Sequence, residues 1–370
     1  MNNSTEKIKL NGVNFDNGNI DKLIVRSESN YSWENSIYQF LENWFDQSEF
    51  ILLETSGSTG TPKTIKLSKA SMRNSAHMTN NYFELSKDIS ALLCLPASYI
   101  AGKMMLVRAI VGGYNLTTVK PTANPFENLH ELIDFAAITP FQLFHSIESL
   151  KSKKVKKLIV GGSPISNMLE SHAMNIPTAL YETYGMTETC SHIALRRFNG
   201  LEKSNFFTVL NGISIHKDER HCLIIEAPHL LDSEIITNDI VEIISPKSFK
   251  WLGRYDSVIN SGGVKIHPEQ VEKKLENVIS VGFFIGSIPD EQLGEKVVLF
   301  IESQSFTNQM IVDLKIYLNN YLDKYEIPKQ MIFVSEFNYS ESNKILRKAT
   351  IENVLLTNTK KSTIFQYLIY

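Results

Sequence analysis

The sequence predicts an α/β fold: a large N-terminal domain with βαβ units and mostly parallel sheets plus a small β-rich subdomain, followed by a small α+β C-terminal domain. Three observations carry this. From residue 50 onward, short apolar runs alternate with helical stretches, the pattern of βαβ units. From about residue 206 the helical stretches stop, and short strands with turns follow. A third change comes at WLGRYDSVINSGG (251–263), after which helix and strand alternate again over about 110 residues, enough for a separate core. The chain therefore divides into residues 1–255 and 256–370.

FILLET (50–55) reads as the first strand, and Ser68 as the N-cap of a helix that follows. SALLCLP (90–96) is again strand-like, and Ala101–Ile110 is a strongly apolar helix. YNLTTV (114–119), FAAIT (135–139), KLIVGG (157–162) and TALYETYG (178–185) continue the strands. In parallel sheets ligands gather beyond the carboxyl ends of the strands, where turns meet helix N-termini. HCLIIEAP (221–228) and IVEII (240–244) supply the β-rich subdomain. The C-terminal domain reads as a helix at His267–Asn277, strands at Val281–Ile285, Lys296–Ile301 and Met331–Val334, and a helix near 309–322. The basic run KSKKVKK (151–157) reads as a solvated loop ahead of a strand.

Composition excludes several classes. With 37 Lys plus Arg against 40 Asp plus Glu, the net charge is −3, so no broad basic face for nucleic acid is expected. The length, 370 residues, exceeds what one core usually fills, about 250–300 residues. Cys94, Cys190 and Cys222 form no C-x-x-C pair, which leaves disulfide scaffolds, zinc sites and iron–sulfur clusters without support. They read as small buried apolar residues. The opening MNNSTEKIKL lacks the apolar stretch of a secretory signal. Ile89–Gly102 is interrupted by Pro96 and too short for stable membrane insertion, so the expected location is the cytoplasm.

The most informative stretch is TSGSTGTPK, directly after the first strand: Thr55, Ser56, Gly57, Ser58, Thr59, Gly60 and Lys63. Hydroxyls, glycines and backbone N–H groups in such a loop can wrap polyphosphate oxygens, with the lysine adding positive charge. It is not a Walker A loop, because read from Gly57 that pattern would put Pro62 at the second glycine.

This string resembles the phosphate loop of the adenylate-forming superfamily of acyl-CoA synthetases, adenylation domains and luciferases, and further matches follow in the family's order. GGSP (161–164) resembles the adenine-side turn, ETYGMTE (182–188) the stretch with the adenine-stacking aromatic and the metal-side acid, and TND (237–239) the ribose motif. GRYDSVINSGGVKIHPEQVE (253–272) resembles the hinge and CoA-tunnel strand, and SNKILRK (342–348) the element bearing the adenylation lysine. The resemblance implies ATP and coenzyme A as co-substrates, Mg²⁺, and a C-terminal domain that is mobile about Asp256. It also implies catalytic roles for Lys344, Thr187 and Glu188, the last also as metal ligand. Gly162, Ser163, Pro164, Tyr184, Gly185, Asp239 and Arg254 would hold ATP, and Gly262, Gly263 and Lys265 coenzyme A. Asn238, Ser257 and Asn343 depart from the family pattern, where Gly, Asp and Gly are usual.

Only 54 residues precede the phosphate loop, an abbreviated form similar to the short o-succinylbenzoate–CoA ligases of menaquinone synthesis. LPASYIAGKMMLVRAIVGG (95–113) and MTETCSHIALR (186–196) resemble that group's acyl-pocket segments and nominate Ser98, Arg108, Ser191 and His192. Taken alone, Arg108 is equally readable as a snorkelling or ion-paired arginine, and His192 as a packed histidine. The substrate class is a small-molecule carboxylate, o-succinylbenzoate or another aryl or short-chain acid. An α-amino acid is disfavoured, because no aspartate stands where amino-acid-activating domains hold the amino group. A non-catalytic nucleotide-binding relative is disfavoured by the presence of Lys63, Glu188, Asp239 and Lys344 together. A homodimer and a monomer both stay open.

Overall fold

A computed structural model describes residues 6–19, 32–55, 63–152, 154–339, 345–358 and 365–368. The chain opens with the antiparallel pair β1 (Lys7–Leu10) and β2 (Val13–Asp16), then α1 (Ser32–Phe45). Next, β3 (Phe50–Thr55) folds back as β4 (Lys63–Ser68) in a two-stranded antiparallel hairpin, Phe50 opposite Ser68 and Thr55 opposite Lys63. FILLET is thus a strand as expected, but it pairs within this hairpin instead of joining the parallel sheet. The KTIKLS return was legible as period-two alternation, with Ile65 and Leu67 covered and Thr64 and Lys66 exposed. Ser68 caps α2 (Lys69–Phe83), its hydroxyl accepting from the Ser71 N–H.

The parallel part follows as β5 (Ser90–Leu93), α3 (Ile100–Gly112), β6 (Asn115–Thr118), β7 (Ile133–Ile138), α4 (Pro140–Leu150), β8 (Val155–Val160), α5 (Asn167–Ala173) and β9 (Ala179–Gly185). Its spatial order is β1-β6-β5-β7-β8-β9, each neighbouring pair parallel. Residues alternate between two cores: Ala91, Leu93 and Ile159 face the side of α2 and α3, whereas Leu92, Leu158 and Val160 face that of α4 and α5. Both faces are covered, which is why these strands read as nearly continuous apolar runs. Fully burying such a side chain is worth about 1.5–3 kcal/mol.

The β-rich stretch comprises β10 (His192–Arg197), β11 (Phe207–Val209), β12 (Ser214–Lys217), β13 (Cys222–Glu226), β14 (Ile235–Ser245) and β15 (Ser248–Arg254). It extends the same sheet with antiparallel neighbours from β9 outward in the order β10-β11-β15-β14-β13-β12. The basic run is partly strand: Lys156 pairs with Asp134, and the Lys157 ammonium donates to the Phe83 carbonyl at the end of α2. All three cysteines are free and buried, and burial pushes the Cys94 and Cys190 thiols up to about 12.

After a 3₁₀ turn at Tyr255–Ser257, a second sheet forms from β16 (Ile259–Ser261), β17 (Val264–Ile266), β18 (Phe283–Asp290), β19 (Gly294–Glu302), β20 (Gln330–Val334) and β21 (Phe365–Leu368). Of its helices, α6 (Pro268–Leu275) and α7 (Asn308–Tyr321) pack Val271, Leu275, Leu314 and Leu318 against Leu299 and Ile301. On the other face Val354 of α8 (Arg347–Asn358) meets Phe284, Phe300 and Ile332. The architecture is the expected α/β class, one large sheet with a parallel half and a small separate sheet. Among the described residues no helix is long and apolar enough to cross a membrane.

Candidate functional site

The chain order reverses at β5, whose neighbours β6 and β7 lie on opposite sides of it. Such a switch opens a crevice beyond the carboxyl ends of the strands. The connections leaving β5, β8 and β9 at that edge carry Ser98, the 161–164 turn and the 185–188 turn.

The acyl-pocket candidates come together, apart from Ser98. Arg108 on α3 is 2% exposed, and among the described residues no carboxylate pairs with it. Its Nη2 donates to Ser191 Oγ at 2.5 Å, and its buried Nε has no partner among the described residues. Burial alone lowers its pKa to about 10. His192 is buried beside it, Nδ1 3.3 Å from Ser191 Oγ and Nε2 3.2 Å from Thr79 Oγ1. Desolvation, then the Arg108 charge, drives the His192 pKa well below its usual value, so the ring is neutral. Among the described residues Arg108 is therefore a cation without a counter-ion, neither snorkelling nor ion-paired.

Two glycines make this geometry possible. A Cβ on Gly185 would fall on the backbone of Ser191 and His192, so only glycine lets the 186–191 turn fold back onto β9. A Cβ on Gly102 would strike the Pro96 carbonyl, where α3 crosses the loop after β5. That loop is clasped by Lys103, whose ammonium donates to the Ala97 and Ser98 carbonyls at 2.6 and 2.7 Å. Burial lowers the Lys103 pKa to about 8. Ser98 itself is exposed and shares no hydrogen bond with Arg108, Ser191 or His192.

Thr187 and Glu188 sit at the apex of the turn after β9, which is held by Thr189 Oγ1, accepting from the Met186 N–H and lying 2.7 Å from the Ser191 carbonyl to which it donates. Glu188 is exposed, with no partner among the described residues. Gly161, Gly162, Ser163 and Pro164 form the β8–α5 turn, with Gly162 at φ +98°. That turn ends on Ile165, whose N–H donates to Glu182 Oε1. Glu182 Oε2 accepts from Arg196, which also bonds Glu170, a buried ion network.

Tyr184 Oη donates to Asp239 Oδ2 at 2.6 Å, and its ring packs edge-on against Phe249. Burial, with the Asp239 charge, raises the Tyr184 pKa. The other Asp239 oxygen accepts from Trp251 Nε1 at 3.1 Å, a partner not nominated from the sequence. Arg254 lies opposite Asp239 in the β14–β15 register, and its guanidinium forms a two-pronged pair with Asp256 at 2.8 Å. That hydrogen-bonded charge holds the Asp256 carboxyl below its usual pKa. Asn238, one of the departures, accepts from Arg220.

Gly262 and Gly263, at φ +58° and +81°, form the two-residue turn of the β16–β17 hairpin. Lys265 is exposed and, with Lys217, Tyr255 and His267, lines a cavity of about 600 Å³ between this hairpin and β12–β14. Hydrogen bonds also join the regions: the Asn167 N–H donates to Glu276, and Asn167 Nδ2 to the Lys273 carbonyl. Ser56, Gly57, Ser58, Thr59, Gly60, Asn343 and Lys344 lie outside the described residues, as do the side chains of Thr55 and Lys63. Sequence reasoning missed Thr79, Lys103 and Trp251. Lys103 was legible as a charge within an apolar helix; the other two become apparent only in the fold.

A topological switch, with a buried cation and a strand-end turn carrying an open carboxylate, is the arrangement of a ligand site in an α/β fold. Residues 22–210 match the family model described as AMP-binding enzyme, and the chain belongs to that family. It is 25% identical to a 2-succinylbenzoate–CoA ligase from Geobacillus sp. (strain WCH70), over 89% of this chain and 74% of that protein. An acyl-CoA synthetase (AMP-forming)/AMP-acid ligase II-like protein from Dyadobacter fermentans superposes with a TM-score of 0.59 at 37% identity, covering 87% of this chain and 95% of that one. The o-succinylbenzoate CoA synthetase from Bacillus subtilis, in complex with its acyl-adenylate intermediate, shares the fold, with a TM-score of 0.68 at 20% identity over 80% of this chain and 68% of that one.

Proposed function

We propose that this chain is an AMP-forming acid–thiol ligase that converts o-succinylbenzoate, ATP and coenzyme A to o-succinylbenzoyl-CoA, AMP and pyrophosphate, a step of menaquinone synthesis. The observation that carries the reading is the buried Arg108 cation, which has no counter-ion among the described residues. A buried charge without a partner is costly, and a substrate bearing a second carboxylate supplies the missing counter-ion. The relative from Geobacillus supports the same acid.

One carboxylate oxygen of the acid attacks the α-phosphorus of ATP, the bond to the β-phosphate oxygen breaks, and pyrophosphate leaves. The coenzyme A sulfur then attacks the acyl carbonyl, the carbonyl–phosphate bond breaks, AMP leaves, and the thiol proton passes to solvent. Developing negative charge in the first step calls for fixed donors and cations, the role assigned to Lys344, Lys63 and the amides of Thr55–Gly60. Tyr184, Gly185 and the 161–164 turn would hold adenine, and Asp239 the ribose hydroxyls; each Asp239 oxygen keeps a free lone pair beside its present bond. Arg254 would reach the ribose or phosphate side from the neighbouring register position. The open carboxylate of Glu188 and the Thr187 hydroxyl are hard oxygen donors that fit Mg²⁺; the ion would neutralise phosphate charge when bound. Coenzyme A would approach along Gly262 and Gly263, with Lys265 near its phosphates. Residues 256–370 would swing about Asp256 between the two steps. The exposed Arg254–Asp256 pair is no obstacle, since such pairs contribute about 0–1 kcal/mol.

ATP–pyrophosphate exchange over a panel of carboxylic acids tests this. Exchange dependent on o-succinylbenzoate and Mg²⁺ is expected, with the thioester, AMP and pyrophosphate as final products. Preference for another aryl or short-chain acid would move the substrate assignment, and release of ADP and phosphate would overturn the reaction class.

A further inference from the structure

Thr79 lies on α2, outside every segment that nominated a site residue, yet its hydroxyl is fully buried against His192. A single hydroxyl proton limits what this arrangement can be. Thr79 Oγ1 lies 3.2 Å from the Ser75 carbonyl one helical turn back, an oxygen that can only accept and so takes the hydroxyl proton. With its proton spent there, Thr79 meets His192 Nε2 with a lone pair, and the ring must carry its proton on Nε2. Nδ1 is then bare and accepts from the Ser191 hydroxyl, whose own lone pair accepts from Arg108. In this state the protons of Thr79, of the His192 ring and of Ser191, and the Arg108 Nη2 proton that meets Ser191, all have acceptors.

The other tautomer closes poorly. A proton on Nδ1 would make Ser191 Oγ accept from both the imidazole and the guanidinium, setting two positive ends on one oxygen. It would also leave the Ser191 proton without an acceptor among the described residues. Burial and the Arg108 charge exclude the doubly protonated ring. The two ring nitrogens are thus distinguished by the bonds they make.

We propose that Thr79 is a positioning residue of the acyl pocket: by fixing His192 as the Nε2–H tautomer, it commits the Ser191 proton to the ring and leaves Arg108 Nε, among the described residues of this cluster, as the donor without a partner. The consequence is specificity. With the Ser191 and His192 protons both committed, this cluster meets an incoming group with the guanidinium charge, which selects a carboxylate over a neutral carboxamide or ester of the same shape. This rests on the acid-activating reading above, but the proton arrangement belongs to the free protein and is testable without substrate.

The test uses the full chain labelled with ¹⁵N-histidine, the His192 ring being assigned by its disappearance in His192→Gln. The parent should show protonation at Nε2. Thr79→Val, an isosteric change, removes both the acceptor and the donor, so the ring should flip to Nδ1–H and free the Ser191 proton. Thr79→Ser restores the hydroxyl and should restore the parent signature. In parallel, kcat/KM for o-succinylbenzoate relative to its ring monocarboxamide should fall about tenfold in Thr79→Val, the scale of one buried hydrogen bond lost or gained, and recover in Thr79→Ser. KM for ATP should move less than about twofold. A parent ring protonated on Nδ1, a tautomer unmoved in Thr79→Val, or equal shifts in both KM values would overturn the proposal. The expected NMR signatures in a protein inactive on o-succinylbenzoate would uphold the tautomer lock and sink only the substrate assignment.

Discussion

Replacing Arg108 by Met should make the free protein more stable while destroying its affinity for the acid. In the free protein the guanidinium is 2% exposed, touches Ser191 and the Met105 sulfur, and leaves Nε without a partner among the described residues. Its pKa falls from 12.5 to about 10 through desolvation. That fall corresponds to about 3 kcal/mol of charge burial that folding must overcome. The sign is unambiguous, because a cation with a depressed folded-state pKa destabilises the fold at every pH below that value, pH 7 included. Met fills most of the volume without the charge. It gives up the Ser191 bond, about 1 kcal/mol, so a net gain of roughly 1–2 kcal/mol is expected. Acid binding should move the opposite way. The substrate's second carboxylate would lose its counter-ion, a loss of about 3–5 kcal/mol, so KM for o-succinylbenzoate should rise by more than about 100-fold with KM for ATP nearly constant. Urea unfolding with and without the acid, together with pyrophosphate-release kinetics, measures both effects. A variant less stable than the parent, with unchanged KM for the acid, would mean that Arg108 is a compensated structural residue and the pocket assignment is wrong.

Gly185→Ala should cost roughly 1–3 kcal/mol of stability and abolish activity, since its methyl group overlaps the Ser191–His192 backbone; denaturant midpoints and initial rates check it, and a silent variant would contradict the close approach. Burial, opposed by Arg347, pushes the Glu272 carboxyl up to about 7 from 4.5. The folded state therefore binds the proton more tightly, and stability should decline as pH rises through 4.5–7, by up to about 3 kcal/mol, a decline that Glu272→Gln removes; parallel curves for parent and variant would refute this. Lys344→Ala should abolish adenylate formation and spare thioester formation from presented acyl adenylate, whereas Asp256→Pro should do the reverse by fixing one backbone angle. Parallel loss of both half-reactions in both variants would remove the two-conformation mechanism.

The elements were legible because they are local. Strands buried on both faces show as apolar runs, as in β5 and β8, and Ser68 announces α2 by its capping chemistry. The hairpin return β4 was missed, although its alternation was present, because the phosphate-loop string and the Ser68 cap left the residues between them without an assignment. The continuity of the large sheet from β2 to β12 could not be read, since strand pairing depends on partners distant in sequence.

The site divides along the same line. Residue types in order were enough to nominate Arg108, Ser191 and His192 and to place them in an acyl pocket by resemblance. Whether Arg108 had a counter-ion was undecidable from residues alone, because the answer requires knowing which carboxylates stay away from it. Arg108 meets Ser191 across 83 residues of chain, and Thr79 meets His192 across 113. Tyr184, Asp239 and Trp251 join across strands whose register is set by packing. A linear pattern records what each residue can donate or accept and which face it occupies. Desolvation and hydrogen-bond partnership are properties of the packed interior. The desolvation of the Arg108 charge, the neutral ring of His192 and the need for glycine at 102 and 185 therefore arose only when α2, α3, the loop after β5 and the turn after β9 closed on one another.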